Sequence, residues 1–70
     1  MELAQTIEAL LFSSGETLSI KRVAQVLEVD ERHIRDALPP IRDALADRGI
    51  RLLQKGTELE LVSAPEAGRF

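Results

Sequence analysis

The sequence predicts a small α+β domain, mainly helical, in which three helices are followed by a β-hairpin. Residues 19–38 read as two short amphipathic helices joined by a tight turn, which is the pattern of a helix-turn-helix. Residues 49–64 then alternate apolar and polar side chains, as the strands of a hairpin do. This order is the layout of a winged helix-turn-helix, and it favours binding of nucleic acid or of protein over catalysis.

Composition limits the size and class of the protein. The 70 residues make one domain, which we place at residues 1–64, with residues 65–70 as a tail or the start of a linker to an absent second domain. Only two residues are aromatic, Phe12 and Phe70, so aliphatic side chains must form the core. The acidic N-terminus and the lack of an apolar run of about 18 residues predict a soluble, cytoplasmic protein without a membrane partner.

The first helix is predicted from apolar residues that share one helical face: Leu3, Ile7, Leu10 and Leu11. The helix should end near Ser13-Ser14-Gly15, where small and flexible residues cluster. Phe12 lies about 100° around the helix from its neighbour Leu11 and therefore outside the apolar face. We expect Phe12 either to cover a loop or to contact a partner.

The second helix should begin after Ser19, whose hydroxyl can accept a hydrogen bond from a free N–H group of the first turn. Glu28-Val29 forms the turn that follows, and Asp30 caps the third helix. Many turns of this kind have glycine where Glu28 stands, because the residue adopts a left-handed conformation. We therefore expect Glu28→Gly to leave the domain folded and slightly more stable.

The third helix is predicted from inward-facing residues spaced by three and four: Ile34, Leu38, Ile41 and Leu45. Pro39 and Pro40 lack the N–H groups that would bond the carbonyls one turn earlier, and each disfavours helical geometry in the residue before it. We expect a kink or break near Leu38, a second short helix over residues 40–47, and a stop at Gly49.

The hairpin register is predicted by taking Lys55-Gly56 as a two-residue loop. The expected cross-strand pairs are Leu52 with Leu59, Ile50 with Leu61 and Arg51 with Glu60. This register separates apolar from charged side chains, whereas a slip of one residue would reverse one strand's faces. Leu53 and Val62 would lie on the outer face among charges. With Phe12 they are candidates for a protein interface, the alternative being that they pack under the first helix or the tail.

The charge distribution argues against strong DNA binding by the domain alone. The net charge is −3, whereas an autonomous DNA-binding module usually carries a basic stripe. A DNA-binding winged helix of a transcriptional regulator is the alternative function. It would place Arg32, His33 and Arg35 in the major groove and Arg51 or Lys55 at phosphates. Acidic residues lie beside these basic residues along the third helix. The simpler interpretation is that Arg32 and Arg35 form surface ion pairs with them.

An enzyme is not expected, because no nucleophile stands beside a base and no glycine-rich phosphate loop is present. His33 is the single histidine, and without a cysteine partner or metal-ligand spacing it is interpreted as a solvated surface residue. The sequence therefore predicts no cofactor, no metal site and no small-molecule substrate.

Three segments resemble the N-terminal winged-helix domain of ScpB, segregation and condensation protein B. They are IEALLFSSGETLS at residues 7–19, VAQVLEVDERHIRDAL at 23–38 and GIRLLQKGTELELVSAPE at 49–66. The first and the last are the most specific, since the middle segment fits many helix-turn-helix proteins. The departures from the family pattern are Pro39-Pro40, Thr17 where proline is common and Leu59 where an aromatic residue is usual.

The resemblance implies a non-catalytic subunit of the bacterial SMC condensin complex that acts in chromosome condensation and segregation. It implies association with a second copy, with the kleisin ScpA, and through ScpA with an SMC ATPase. It further implies a cytoplasmic, nucleoid-associated protein that contacts DNA only indirectly or weakly. Family members carry a second winged helix, so the chain is interpreted as an N-terminal fragment.

Overall fold

A computed structural model describes residues 2–63, and it contains three helices and one antiparallel sheet. The elements are α1 (Leu3–Ser14), β1 (Leu18–Ser19), α2 (Ile20–Leu27), α3 (Glu31–Ala44), β2 (Ile50–Lys55) and β3 (Glu58–Ser63). The sheet order is β1-β3-β2, so the hairpin gains a short third strand that the sequence did not predict. The predicted winged-helix class is confirmed. The predicted tail, residues 65–70, lies outside the described residues.

α1 ends where its sequence predicts, at Ser14 and Gly15. The backbone N–H of Glu2 donates to Oε1 of Gln5 at 3.0 Å, which satisfies a donor at the helix start. Gly15 ends the helix in the left-handed conformation, with φ +64°, and its N–H donates to the carbonyl of Leu11 at 3.3 Å. The helix therefore presents Ile7 and Leu11 to the core and leaves Phe12 on its outer side.

α2 and the turn after it follow the predicted pattern. The hydroxyl of Ser19 accepts from the N–H of Arg22 at 2.9 Å, which confirms the N-cap. Glu28 has φ 57° and ψ 46°, the predicted left-handed geometry. The N–H of Val29 then donates to the carbonyl of Ala24 at 3.0 Å, so the turn closes on the helix it ends. Val29 is half-buried against the core, as expected of a residue that fills the angle between α2 and α3.

α3 runs without interruption through Pro39 and Pro40, so the predicted break near Leu38 is wrong. Both prolines are exposed, and the carbonyls that lose their N–H donors belong to the exposed residues Arg35 and Asp36, where water can replace the missing bond. The opposite face of the helix is buried along its length. Packing of that face holds the helix together across the proline pair.

The predicted stop at Gly49 is also wrong. α3 ends at Ala44, and the N–H of Leu45 still donates to the carbonyl of Ile41 at 3.1 Å. Residues 45–47 form a turn that leads to β2. Leu45 is buried, and its side chain joins the core at the point where the chain leaves the helix. The chain therefore turns toward the sheet before the glycine is reached.

The predicted hairpin register is shifted by two residues. The observed pairs are Ile50 with Ser63, Arg51 with Val62, Leu52 with Leu61, Leu53 with Glu60, Gln54 with Leu59 and Lys55 with Glu58. Gly56 and Thr57 form the loop, and Gly56 has φ +59° at the first central position, as in a type II′ turn. The predicted pairing of Arg51 with Glu60 is therefore wrong. A shift of two residues keeps every side chain on its predicted face.

The core lies where α3 packs against α1 and α2 and where the sheet closes one side. Its buried residues are Ile7, Leu11, Ile20, Val23, Ala24, Ile34, Ala37, Leu38, Ile41, Leu45 and Leu59. β1 pairs with β3 through Leu18 opposite Leu59, which places Leu59 at the centre of the sheet. Leu59 is fully buried there, so an aliphatic side chain fills this position of the core.

Candidate protein-interaction surface

Three large apolar side chains are exposed in the described part of the chain. Phe12 on α1 is 72% exposed, Val26 on α2 is 45% exposed and Leu53 on β2 is 38% exposed. Phe12 therefore does not cover a loop among residues 2–63. Exposure of a phenylalanine to this extent costs apolar hydration free energy that a partner surface would remove.

Phe12 stands between two grooves that α1 forms with the region around the hairpin. The α1 groove has a volume of about 300 Å³ and is lined by Glu8, Ala9, Phe12, Arg48, Ile50 and Leu61, among others. The hairpin groove has a volume of about 240 Å³, and its lining includes Leu11, Phe12, Ile50, Leu61 and Val62. Phe12, Ile50 and Leu61 line both grooves, so Phe12 forms a ridge with an apolar depression on either side.

The structure brings two of the three predicted interface residues together. Phe12 and Val62 line the hairpin groove, and Val62 is half-buried there. Leu53 lies on the same face of the sheet as Val62, because Leu53 pairs with Glu60 and Val62 is the next residue on that face of β3. Leu53 borders a separate depression with Thr17. Phe12 and Val62 therefore share one groove, whereas Leu53 lies apart from them beside Lys55, Glu58 and Glu60.

The α1 groove carries one acidic and one basic side chain at its margin. Glu8 is half-buried on α1, and Arg48 is exposed in the turn between α3 and β2. Neither side chain has an ion-pair partner within residues 2–63. The two opposite charges are therefore available to groups that a partner would present.

The predicted DNA-contacting residues of α3 lie among carboxylates. Arg32 and Arg35 border a shallow depression between α2 and α3, together with Lys21, Asp30 and Glu31. Nη2 of Arg35 lies 3.9 Å from Oε1 of Glu31, which confirms the expected surface ion pair for this arginine. His33 is exposed on the same helix. The three arginines and three acidic residues of α3 cancel, so the helix has no net charge to attract phosphate.

The two hairpin residues of the DNA alternative differ in their surroundings. Nη1 of Arg51 donates to the carbonyls of Arg48 at 3.1 Å and Leu45 at 3.4 Å, so this side chain closes the turn after α3. Lys55 is exposed and lies opposite Glu58 at the end of the hairpin. The side chain of Arg51 is therefore occupied by the domain's own backbone, and Lys55 faces a carboxylate.

Sequence reasoning missed several residues of this surface. Ile50 and Leu61 were assigned to the core side of the hairpin, and they do pack on the core, but their half-buried side chains also line both grooves. Val26 lies off the apolar face of α2, so helical periodicity could have identified it. Glu8 and Arg48 line the same groove only because segments distant in the sequence pack together. No local sequence pattern indicates that they do.

Residues 2–63 contain no group of three or more histidine, aspartate and glutamate side chains placed to hold a metal. No helix in this range is long and apolar enough to cross a bilayer.

The fold and the surface define a winged-helix domain whose third helix has no net charge and whose most exposed apolar residue, Phe12, lies between two grooves at α1 and the hairpin. Comparison with known proteins identifies the family. The profile described as segregation and condensation complex subunit ScpB matches residues 5–70. The chain therefore belongs to the ScpB family.

Two relatives named segregation and condensation protein B show how far the similarity extends. One, from Clostridium botulinum (strain Kyoto / Type A2), is 36% identical over 62 residues, covering 86% of this chain and 32% of the relative. Another, from Carboxydothermus hydrogenoformans, is 35% identical over 68 residues, covering 94% of this chain and 37% of the relative. The chain thus spans about a third of the length of the curated relatives that it matches.

A solved structure matches the whole fold. It is described as a dimer of the ScpB N-terminal domain complexed with a ScpA peptide, and it superposes with a TM-score of 0.82 at 31% sequence identity. The match covers 93% of this chain and 84% of that chain. The match therefore includes the helices and the sheet that carry the apolar surface.

Proposed function

We propose that this chain is the N-terminal association module of a non-catalytic subunit of the bacterial SMC condensin complex, acting in chromosome condensation and segregation. It associates with a second copy of itself, binds the kleisin ScpA, and through ScpA joins an SMC ATPase. The observation that carries the proposal is the 31% identical domain solved as a dimer with a ScpA peptide.

The winged helix of residues 2–63 makes up the association module. The matched region is only 32% of the Clostridium botulinum relative, so the module corresponds to about a third of that protein.

Phe12, Leu53 and Val62 carry the self-association. A phenylalanine side chain presents about 150–250 Å² of surface, and Phe12 is 72% exposed. Removing that area from water would contribute an upper estimate of about 2.7–4.5 kcal/mol per copy at ~25 cal/mol per Å². Leu53 and Val62 add apolar area on the outer face of the sheet. Because association itself costs at least about 4 kcal/mol, this contribution is consistent only with a weak, reversible dimer.

The charges of the domain support protein association over DNA recognition. The net charge of −3 repels a polyanion, and the acidic residues of α3 offset its arginines. Arg51, which the DNA alternative placed at phosphates, bonds to the backbone of its own domain. Contact with DNA is therefore indirect or weak, through the assembled complex.

Two measurements test the proposal. Sedimentation equilibrium of the chain should show a reversible dimer, and a fluorescently labelled ScpA peptide should show a saturable rise in anisotropy on titration with the chain. A scrambled peptide of the same composition is the control. A chain that stays monomeric up to about millimolar concentration and binds neither peptide contradicts the proposal.

A variant pair connects the result to the surface. Phe12→Ala should raise the dimer dissociation constant by at least about tenfold, because both copies lose the same buried ring. Val26→Ala removes another exposed apolar side chain, on α2 and away from both grooves, and should leave the constant within about twofold. If the two substitutions changed the dimer dissociation constant equally, the assignment of Phe12 to the dimer contact would be contradicted.

A further inference from the structure

The helix-turn-helix carries a surface that self-association does not use, the depression between α2 and α3. We propose that this α2–α3 depression binds a short acidic segment of a partner protein, in which carboxylates flank an apolar side chain. Lys21 and Arg32 bind the carboxylates, and the apolar side chain lies against Ala24 and Val29. The inference is independent of the dimer, because none of these four residues lines either groove beside Phe12.

The shape of the α2–α3 depression suits a ligand with both apolar and polar groups. Its volume is about 510 Å³, larger than that of either groove beside Phe12. Ala24 is buried and Val29 is half-buried, whereas Lys21 and Arg32 are exposed. A ligand that enters the depression can therefore combine an apolar contact at its floor with ionic contacts at its margin.

The acidic side chains of the α2–α3 depression are already engaged within the domain. Oδ1 of Asp30 accepts a hydrogen bond from the backbone N–H of Arg32 at 3.1 Å. Oε1 of Glu31 lies 3.9 Å from Nη2 of Arg35. The side chains of Lys21 and Arg32 have no ion-pair partner within residues 2–63. Two basic side chains of the depression are therefore available to carboxylates of a partner.

These two basic residues occupy positions that disfavour the helices that carry them. Lys21 lies in the first turn of α2, and Arg32 lies in the first turn of α3. A positive charge in the first turn faces the positive end of the helix dipole, which lowers helix stability. The first turn of α2 has no acidic residue to offset this effect. Two destabilising basic residues beside one depression therefore indicate a role in binding rather than in folding.

The observations favour a peptide over a nucleic acid as the occupant. Asp30 and Glu31 keep their negative charges beside the depression, and a continuous row of phosphates would meet both. The apolar floor also gives no favourable contact to a phosphate backbone. A peptide can place carboxylates only at the two basic side chains and an apolar side chain between them, so it avoids the repulsion and uses the floor.

The test titrates the isotope-labelled chain with a peptide of central sequence Glu-Glu-Val-Glu-Glu and follows the backbone amide signals by NMR. The signals that move should belong to residues of the α2–α3 depression. The dissociation constant should be on the order of 0.1–1 mM, because each exposed ion pair contributes little. Peptides with Gln-Gln-Val-Gln-Gln, which lacks the charges, and Glu-Glu-Ser-Glu-Glu, which lacks the apolar side chain, should each bind at least about fivefold more weakly.

Charge reversal connects the binding to the two basic residues. Lys21→Glu and Arg32→Glu should each weaken binding of the acidic peptide by about fivefold or more, because an attraction becomes a repulsion. Both place a carboxylate in the first turn of a helix, where the dipole stabilises it, so the variants should fold. A chain with both substitutions should bind Lys-Lys-Val-Lys-Lys at the depression, where the unmodified chain should show no shift with that peptide.

The control is Lys55→Glu, which makes the same charge change at an exposed site on the hairpin, outside the α2–α3 depression. It should leave the dissociation constant of the acidic peptide within about twofold. A loss of affinity equal to that of Lys21→Glu would show that only the net charge of the domain matters, and would overturn the inference.

Other results would overturn the inference in distinguishable ways. Equal binding of the glutamine peptide would show that the depression does not recognise charge. Duplex DNA that shifts the same signals at lower concentration, and loses this effect between about 50 and 200 mM salt, would make the depression a phosphate site. Sedimentation equilibrium separates the inference from the proposed function, since Lys21→Glu should dimerise like the unmodified chain. Weaker dimerisation of that variant would make the depression a contact between copies instead.

Discussion

Replacing Glu28 by glycine should stabilise the domain, and the gain can be worked out from the backbone. Glu28 has φ 57° and ψ 46° at the C-terminus of α2. A residue with a Cβ pays about 1–2 kcal/mol in this region, and its carboxylate faces the negative end of the helix dipole at a further cost of about 0.3 kcal/mol. Glycine loses about 0.5–1 kcal/mol more backbone entropy on folding. These terms sum to a net stabilisation of about 0.3–1.8 kcal/mol, with a middle value near 1 kcal/mol.

The assay is thermal unfolding followed by far-UV circular dichroism at one protein concentration. For a domain of this size about 1 kcal/mol moves the melting temperature by roughly 4–8 °C, so the middle value of the net stabilisation predicts a rise of about 4–8 °C for Glu28→Gly. Glu28→Ala removes the charge and keeps the Cβ, so it should give only the small part of the gain that comes from the helix dipole.

A glycine elsewhere in the chain calibrates the result. Gly15 has φ +64°, and a Cβ added there meets nothing within 4 Å, so Gly15→Ala measures the conformational cost without a clash. It should destabilise the domain by about 1 kcal/mol. A lower melting temperature for Glu28→Gly, alongside the expected loss for Gly15→Ala, would refute the reasoning and show that the Glu28 side chain contributes more than its backbone costs.

Three further predictions follow from the core, the caps and the charge. Ile34→Ala should lower the free energy of unfolding by about 2–5 kcal/mol, measured by urea denaturation, because Ile34 is fully buried between the helices; a loss under about 1 kcal/mol would contradict that packing. Ser19→Ala should cost about 1 kcal/mol in the same assay by leaving the N–H of Arg22 without its acceptor, whereas Ser13→Ala, at an exposed site, should cost little. Titration of labelled duplex DNA should show no binding at about 50 mM salt, and a tight complex that weakens steeply by about 200 mM would instead support DNA recognition.

The helices could be predicted from the sequence because their signals are local. The apolar spacing, the hydroxyl of Ser19, the carboxylate of Asp30 and the left-handed turn at Glu28 all act within a few residues of one another. Pro39 and Pro40 were misjudged because their effect is not local. A proline pair breaks an isolated helix, but here burial of the opposite face of α3 outweighs the missing hydrogen bonds.

The hairpin faces could be predicted, but its exact pairing could not be obtained from apolar alternation. Registers that differ by two residues place the same side chains on the same faces, so the alternation allows both. The turn decides between them, because Gly56 with φ +59° suits the first central position of a type II′ loop. That preference was readable in the sequence. The third strand, Leu18–Ser19, is too short to leave a pattern of its own.

The candidate surface was only partly predictable. Phe12 was identified because it lies off the apolar face of its helix, and Leu53 and Val62 because they interrupt a charged strand face. The grooves on either side of Phe12 arise where α1 approaches the hairpin and the turn after α3, segments nearly 40 residues apart in the chain. The sequence around Glu8 or Arg48 does not indicate that these two residues lie close to the same groove.

The most direct test of the central claim, that the exposed face around Phe12 is where two copies meet, is the fluorescence of a Phe12→Trp variant. The chain has no tryptophan or tyrosine, so the emission reports on position 12 alone. The emission should shift to shorter wavelength as concentration rises, in step with the dimer fraction measured by sedimentation. Emission that remains that of a fully hydrated tryptophan while the chain dimerises would contradict the claim.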